Sequence, residues 1–198
     1  MMKQVAVIGV GNSKFGVRSD ATFPEIAFEA IKEALGDAGI TQKDIELSVV
    51  GTAGNRLYEM YPAPLINEYA GFISKGPIRV EAACASGSAA VFTAHTAIAS
   101  GCVETAVAIG VEKMCEVDPL TSTAVGGRGC YLGEFHMFGT SFTSYYALFA
   151  AAHMSRHGTT EEQLAKIAVK SHYYAARNPK AHFQKEVTIE TVLKSRVI

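Results

Sequence analysis

Four short runs with strand character, separated by longer stretches with helix signals, organise the first part of the chain. The runs are Gln4–Val10, Leu47–Val50, Pro77–Val80 and Thr105–Ile109. The first is apolar almost throughout, which is typical of a strand buried on both faces of a sheet. Strands that alternate with helices of these lengths predict a layered α/β domain with a mostly parallel, mixed sheet.

The segments between the runs carry start and stop signals for helices. Thr22-Phe-Pro-Glu25 is a capping box with an early proline, and it predicts a helix that reaches about Ala38. Pro62–Tyr69 predicts the start of a second helix. The third, Ser86–Ser100, has small residues and no formal charge, which indicates a helix buried on all sides. His95 in it is interpreted as a hydrogen-bonded core or interface histidine, with catalysis as the alternative.

The character of the sequence changes after residue 118. Thr121–Tyr131 is rich in Thr, Ser and Gly, which predicts a loop. Phe142–His157 is predicted to be a helix, and Glu162–Arg177 is amphipathic, with Glu162, Lys166 and Lys170 spaced for i,i+4 pairing. The sequence therefore predicts two domains, an α/β domain over residues 1–118 and a mainly helical domain over residues 119–198.

Composition narrows the classes of function. The 198 residues are 48% hydrophobic and 19% charged, with a formal net charge of −1. This balance predicts a folded domain with a large core and gives no sign of nucleic-acid binding. No apolar run reaches membrane-spanning length, and the N-terminus enters a predicted strand directly. We therefore expect no membrane association, no signal peptide and a cytoplasmic protein.

The cysteines predict neither a metal site nor a disulfide framework. Their spacing matches no paired metal-ligand pattern, and the chain is too large to need a disulfide scaffold. They are Cys84, Cys102, Cys115 and Cys130.

A glycine-rich segment near the N-terminus is similar to a dinucleotide-binding fingerprint. Gly9-Val-Gly11 follows the first predicted strand, with Gly16 further on. Lys14 stands where the fingerprint requires a third glycine. We therefore interpret the segment as a flexible turn rather than as a phosphate site.

Cys84 is the strongest candidate for chemistry. It lies between the predicted strand that ends at Val80 and the helix that begins at Ser86. A thiol at a helix N-terminus gains reactivity because the helix dipole and the free amide groups stabilise a thiolate. A strand-to-helix turn also exposes a nucleophile, as in the hydrolase elbow. The alternative is a small buried residue at a tight turn.

The residues around Cys84 add a resemblance. Glu81–Ala90, Glu-Ala-Ala-Cys-Ala-Ser-Gly-Ser-Ala-Ala, resembles the nucleophile motif of the thiolase superfamily. Within that superfamily, the motif looks like the branch that includes archaeal acetyl-CoA acetyltransferases and sterol-carrier-protein-type thiolases. The resemblance implies that residues 1–118 form the first of two similar α/β halves, without its last strand. It also implies that residues 119–198 form a loop domain over the coenzyme A site.

His136 and Met137 are candidate ligand-binding residues. With Gly139 and Thr140 they resemble a His-Met-Gly-Thr-like stretch that lines the acyl and pantetheine pocket of the family, although Phe138 interrupts the match. The alternative is ordinary loop packing.

The activity that the resemblance implies is acetyl-CoA C-acetyltransfer through an acyl-cysteine on Cys84. The alternatives are a 3-oxoacyl-CoA or sterol-type thiolase and a non-catalytic, thiolase-like scaffold subunit. In the family, the second half supplies a histidine and a second cysteine, and Cys102, Cys115 and Cys130 do not match that motif. We therefore expect these residues alone to be inactive, as a fragment or as one part of a split protein.

The resemblance also implies binding partners. The expected ligand is acetyl-CoA or another acyl-CoA, as a substrate, with no permanently bound cofactor. Self-association is expected, and a separate C-terminal thiolase half is a further candidate partner. As in archaeal relatives, the resemblance implies two further partners, a zinc-containing OB-fold protein and hydroxymethylglutaryl-CoA synthase.

Overall fold

The computed structural model describes residues 3–53, 59–72, 76–127, 129, 131–139 and 141–196, with the backbone alone at 127, 135 and 136. The chain divides into two compact units. The first comprises Met1–Ser13 and Val17–Val117, and the second comprises Lys14–Gly16 and Asp118–Ile198. That these units are a thiolase half and a loop domain over a coenzyme A site stays a prediction.

A three-stranded parallel sheet forms the centre of the first unit. Its strands are β1 (Leu47–Gly51), β2 (Pro77–Val80) and β3 (Ala106–Gly110), in the order β2-β1-β3. Gly51 is in register with Val80 on one side and with Gly110 on the other. The carboxyl ends of all three strands therefore meet at one edge, and the predicted α/β class is confirmed.

Helices cover both faces of this sheet. Val50 of β1 is fully buried in a cluster with residues of α1 (Phe23–Ala38) and α2 (Pro62–Tyr69). Val49 points to the opposite face, where it packs on Ala90 and Ala94 of α3 (Ser86–Ala99). Neighbouring strand residues face opposite sides of a sheet, so β1 contributes to both hydrophobic clusters.

The ends of α1 follow from local sequence signals. The Glu25 carboxylate accepts hydrogen bonds from the Thr22 backbone N–H at 2.6 Å and from its hydroxyl at 2.7 Å. Gly39 ends the helix with φ 67°, a conformation that costs glycine little. Both predicted boundaries of this helix are confirmed.

An ion-pair cluster ties the segment before α1 to the helix. Arg18 donates to Glu29 at 2.6 Å and to Asp20 at 2.9 Å. These hydrogen bonds hold the pKa values of Glu29 and Asp20 below their ordinary range. A carboxyl whose pKa is lowered by folding contributes stability above its unfolded pKa of about 4. That contribution is lost as the pH falls through the folded pKa.

We expect Arg18→Gln to raise the titration midpoint of Glu29 towards the ordinary glutamate value, because the largest cause of its lowered pKa is removed. Acid unfolding of the first unit then begins at a higher pH. Carboxyl-carbon NMR titration and circular dichroism measure the two effects. Lys32→Gln, on the same helix, is the control; an equal shift with it would assign the effect to net charge.

The predicted strand Gln4–Val10 is wrong. Residues 3–15 contain no strand, and Val7 is 80% exposed. The segment instead runs along α1, where the Val10 backbone N–H donates to Asp37 and the Asn12 N–H to Glu33, each at 2.9 Å. A strand needs a neighbour to pair with, and none of the described strands pairs with this segment.

The second unit is helical. Its helices are α4 (Pro119–Gly127), α5 (Leu132–Phe138), α6 (Phe142–His157), α7 (Glu161–Ala175) and α8 (Ile189–Leu193). The loop predicted over Thr121–Tyr131 is largely wrong, because Asp118 accepts from the backbone N–H groups of Leu120 and Thr121 and starts a helix there. In the part of the chain that the structure describes, no helix combines the length and hydropathy needed to span a membrane.

Candidate functional site

Cys84 lies at the carboxyl edge of the sheet, four residues after β2 ends. It is the middle residue of a short 3-10 turn, Ala83–Ala85, that leads directly into α3. Its side chain is exposed. The alternative interpretation of Cys84 as a small buried residue is therefore wrong, and the predicted strand-to-helix placement is confirmed.

The turn around Cys84 is held by the hydroxyl of Ser86. Ser86 Oγ accepts from the Ala82 backbone N–H at 3.0 Å and donates to the Ala83 carbonyl at 2.7 Å. The Glu81 carboxylate accepts from the Ala83 N–H. Ser86 itself is only 5% exposed. These bonds enclose Cys84 on both sides and fix the backbone that carries it.

Backbone strain is stored next to the thiol. Ala83 has φ 48°, and it is the one non-glycine residue of the described chain with a positive φ. This left-handed conformation costs about 1 kcal/mol or more for a residue with a Cβ. Because such strain persists only where neighbouring contacts impose it, the contacts of the turn hold the backbone beside Cys84 in this conformation.

Gly51 lets α3 approach the sheet closely. A Cβ on Gly51 would lie 2.2 Å from the Ser86 carbonyl oxygen and 3.1 Å from the Gly87 nitrogen. On the other side, a Cβ on Gly110 would lie 3.5 Å from the Gly87 Cα. The first turn of α3 therefore rests on the ends of β1 and β3, and only glycine fits at Gly51.

This geometry suits a nucleophile. The first-turn amide groups of a helix have no acceptor within the helix, and they carry a positive partial charge. Cys84 is exposed in the turn that leads directly into α3, at the sheet edge where functional residues of parallel sheets collect. An exposed thiol in such a place can attack an electrophilic carbonyl.

The other thiols have different surroundings. Cys102 follows the C-terminal end of α3 and accepts a hydrogen bond from Ser100. Cys115 lies in a short 3-10 turn after β3, and Cys130 lies outside the described residues. His95 is exposed on α3, so it is not a core histidine, and its interpretation as an interface histidine stays a prediction. The described residues contain no cluster of three or more His, Cys, Asp or Glu that could hold a metal.

His136 and Met137 lie in the second unit. Both belong to α5, so they lie in a helix rather than in the loop that the packing alternative assumed, and their ligand-binding role stays a prediction. Met137 is 75% exposed, and the side chain of His136 is outside what the structure describes. Thr140 is also outside it. Cys84 and this pair thus form two sets of candidate residues on two separate units.

Comparison with known proteins decides the family. Residues 5–196 match the family described as thiolase, N-terminal domain. The chain belongs to the thiolase family. An acetyl-CoA acetyltransferase of Methanothermobacter thermautotrophicus is 39% identical over 200 residues, which cover 100% of this thiolase chain and 51% of the relative. Sterol carrier protein 2 of Gallus gallus is 30% identical, over 100% of this chain and 38% of its own.

A solved structure supports the thiolase fold. The structure of the "Ltp2-ChsH2(DUF35) aldolase" aligns with a TM-score of 0.78 and 25% identity. The alignment covers 98% of this chain and 49% of that one. The thiolase chain therefore spans about half the length of the archaeal relative and of the solved structure it matches.

Sequence reasoning missed the residues that support the sheet edge and the turn at Cys84. Gly51, Ser86 and Glu112 contact backbone that lies far away in sequence or across the turn. The signals present were a glycine directly after an apolar strand and a serine two residues after the cysteine. Neither signal says what the residue touches in a thiolase, because those contacts depend on strand order.

Proposed function

We propose that Cys84 is the nucleophile of acyl transfer between coenzyme A thioesters, and that the complete protein is an acetyl-CoA C-acetyltransferase. The observation that carries the proposal is the exposed thiol on a strained, clamped turn at the start of α3. The names of two archaeal relatives, 39% and 40% identical to this chain, support the choice of acetyl-CoA.

The proposed reaction has two steps. In the first, the Cys84 sulfur bonds to the thioester carbonyl carbon, the coenzyme A sulfur leaves and takes up a proton, and the acyl group stays on Cys84. In the second, the α-carbon of another acetyl-CoA, having lost a proton to a base, attacks that acyl carbon and releases the Cys84 sulfur. The products are acetoacetyl-CoA and coenzyme A, and thiolysis is the reverse. Covalent catalysis divides one difficult transfer into two easier steps.

Groups of this chain could lower the barrier of the first step. The backbone N–H of Cys84 is a candidate donor to the oxyanion that forms on the thioester carbonyl. The start of α3 contributes favourable dipoles at the same place. The base for the α-proton is proposed to come from the second thiolase half, because no residue here matches it. These residues by themselves are therefore proposed to be inactive.

Met137 and His136 are proposed to line the acyl and pantetheine part of the ligand site. The 75% exposure of Met137 leaves its flexible thioether side chain available to an apolar ligand. Coenzyme A enters as part of the substrate, and no resident cofactor is invoked.

A second candidate function is thiolysis of longer or sterol-derived 3-oxoacyl-CoA. The similarity to sterol carrier protein 2 over the whole chain favours it. Comparing turnover of acetoacetyl-CoA and of long-chain 3-oxoacyl-CoA distinguishes the two substrates.

A non-catalytic scaffold subunit is the third candidate function. The exposed Cys84, on a turn held by hydrogen bonds, argues against it.

Partners are also part of the proposal. Val91 and Phe92 on α3 are 56% and 71% exposed, an apolar surface suited to a separate C-terminal half or to a second copy. The name of the solved structural relative includes a DUF35 component. The resemblance alone supports a zinc-containing OB-fold protein and hydroxymethylglutaryl-CoA synthase as further proposed partners.

We expect Cys84 to react with iodoacetamide at least about tenfold faster than Cys102 or Cys115 at pH 7, because, of these three described thiols, Cys84 alone directly precedes an α-helix. Mass-spectrometric peptide mapping of the folded chain gives the individual rates, including that of Cys130. Cys84→Ser is the control that removes the fast phase. Faster labelling of any other thiol would contradict the proposed nucleophile.

A further inference from the structure

We propose that Glu112 is a positioning residue for Cys84, acting through the loop that follows β1. This inference rests on the proposed role of Cys84 as the nucleophile. Glu112 lies two residues after β3, at the carboxyl edge of the sheet where Cys84 also lies. It touches neither the thiol nor any residue of the turn in the described contacts, so its effect is indirect.

The Glu112 carboxylate fixes the loop after β1 at two points. Its Oε2 atom accepts from the Thr52 hydroxyl and from the Ala53 backbone N–H, each at 3.0 Å. Thr52 is 1% exposed, so these bonds lie in the interior of the first unit. Charge-assisted hydrogen bonds of this kind are stronger than those between neutral groups.

The fixed loop holds both sides of the nucleophile turn. The Thr52 backbone N–H donates to the carbonyl of Val80, the last residue of β2 before the turn, at 3.3 Å. The preceding residue, Gly51, supports the Ser86 backbone at the start of α3, and it accepts from the Val111 N–H at 3.1 Å. The adjacent residues Gly51 and Thr52 thus connect the entry and the exit of the turn, and Glu112 anchors them.

The second oxygen of the carboxylate supports a role beyond packing. Glu112 Oε1 is buried and accepts no hydrogen bond from the described residues. A buried carboxylate oxygen without a donor costs free energy, and an apolar side chain would avoid that cost. The gain that we infer to offset it is a rigid loop beneath Cys84.

Glu112→Ala tests the inference through the reactivity of Cys84 in the 198-residue chain. We expect the rate of Cys84 alkylation at pH 7 to fall about two- to fivefold, because a loosened turn gains less from the helix amide groups. The rate at Cys102 should stay unchanged. Glu112→Gln keeps an acceptor for Thr52 and Ala53 and should restore most of the rate. Glu116→Ala is the matched control, since Glu116 pairs with Lys113 instead.

The outcomes separate this inference from the proposed function. If Cys84 is not the fastest thiol in the unsubstituted chain, the proposed nucleophile fails and the inference fails with it. If Cys84 is fast but Glu112→Ala leaves its rate unchanged, the inference alone fails. Equal changes at Cys84 and Cys102 would also overturn it, because they indicate general loosening. If Glu112→Ala does not fold, Thr52→Val, which removes the bond between hydroxyl and carboxylate, is judged by the same criterion.

Discussion

Gly51→Ala is expected to destabilise the first unit by about 3 kcal/mol. The new methyl group would lie 2.2 Å from the Ser86 carbonyl oxygen and 2.6 Å from its carbonyl carbon, well inside van der Waals contact. Both atoms belong to helix backbone, so no side chain can rotate away. Gly51 cannot retreat either, because β1 is paired on both sides. The steric clash is therefore removed only if α3 moves away from the sheet, and Cys84 must move with it.

Gly36→Ala is the matched control for this substitution. Gly36 lies inside α1, and a Cβ there meets nothing within 4 Å. Alanine at such a position should stabilise the helix by up to about 1 kcal/mol. Urea unfolding followed by circular dichroism measures both variants, and alkylation of Cys84 reports the displacement of the turn. A Gly51→Ala chain as stable as the unsubstituted one would mean that α3 does not rest on β1.

Local signals predict α1 and α6 well. A capping box before Phe23 and a glycine after Ala38 depend only on hydrogen bonds within a few residues, so the sequence contains the whole argument. The helix at Phe142–His157 has its predicted bounds for the same kind of reason. Ser141 caps its first turn and Gly158 ends it, and the hydrogen bonds that form both caps join residues only a few positions apart.

Nonlocal pairing explains the failed strand. The apolar pattern of Gln4–Val10 indicates a buried strand, but pattern alone does not supply a neighbouring strand. In the structure, Gly9 and Gly11 lie against the backbone of α1, where a Cβ would meet Ala34 and Ala30 carbonyl oxygens within 2.3 Å. The glycine pattern indicates a flexible turn, whereas in the structure these two glycines are points of close approach between the segment and the helix.

The candidate site likewise combines features that local sequence signals predict with features that depend on strand pairing. The position of Cys84 could be predicted from a strand followed by a helix, since both are local elements. The contacts from Glu112 to Thr52 and Ala53 span 60 and 59 residues, and they exist only because β1 and β3 are neighbours in the sheet. Parallel pairing of strands far apart in the chain therefore completes the surroundings of Cys84, and no local motif records it.

The proposed activity likewise depends on more than the local motif around Cys84. The proposed reaction needs a nucleophile and a base, and Cys84 is proposed here as the nucleophile alone. The relative from Methanothermobacter thermautotrophicus is about twice as long as the segment it shares with this chain. On α3, Phe92 is 71% exposed, which leaves an apolar surface that a second half could cover.

We therefore expect the 198 residues, purified alone, to cleave acetoacetyl-CoA at least about 1000-fold more slowly than the complete archaeal relative, because catalytic residues that act as a unit lose most of their rate together. A chimera that joins these residues to the second half of that relative should regain turnover. Cys84→Ala in the chimera should abolish it again, whereas Cys102→Ala, at the far end of α3, should leave it intact. Turnover by the 198 residues alone at the rate of the relative, lost on Cys84→Ala, would show that this half carries its own base.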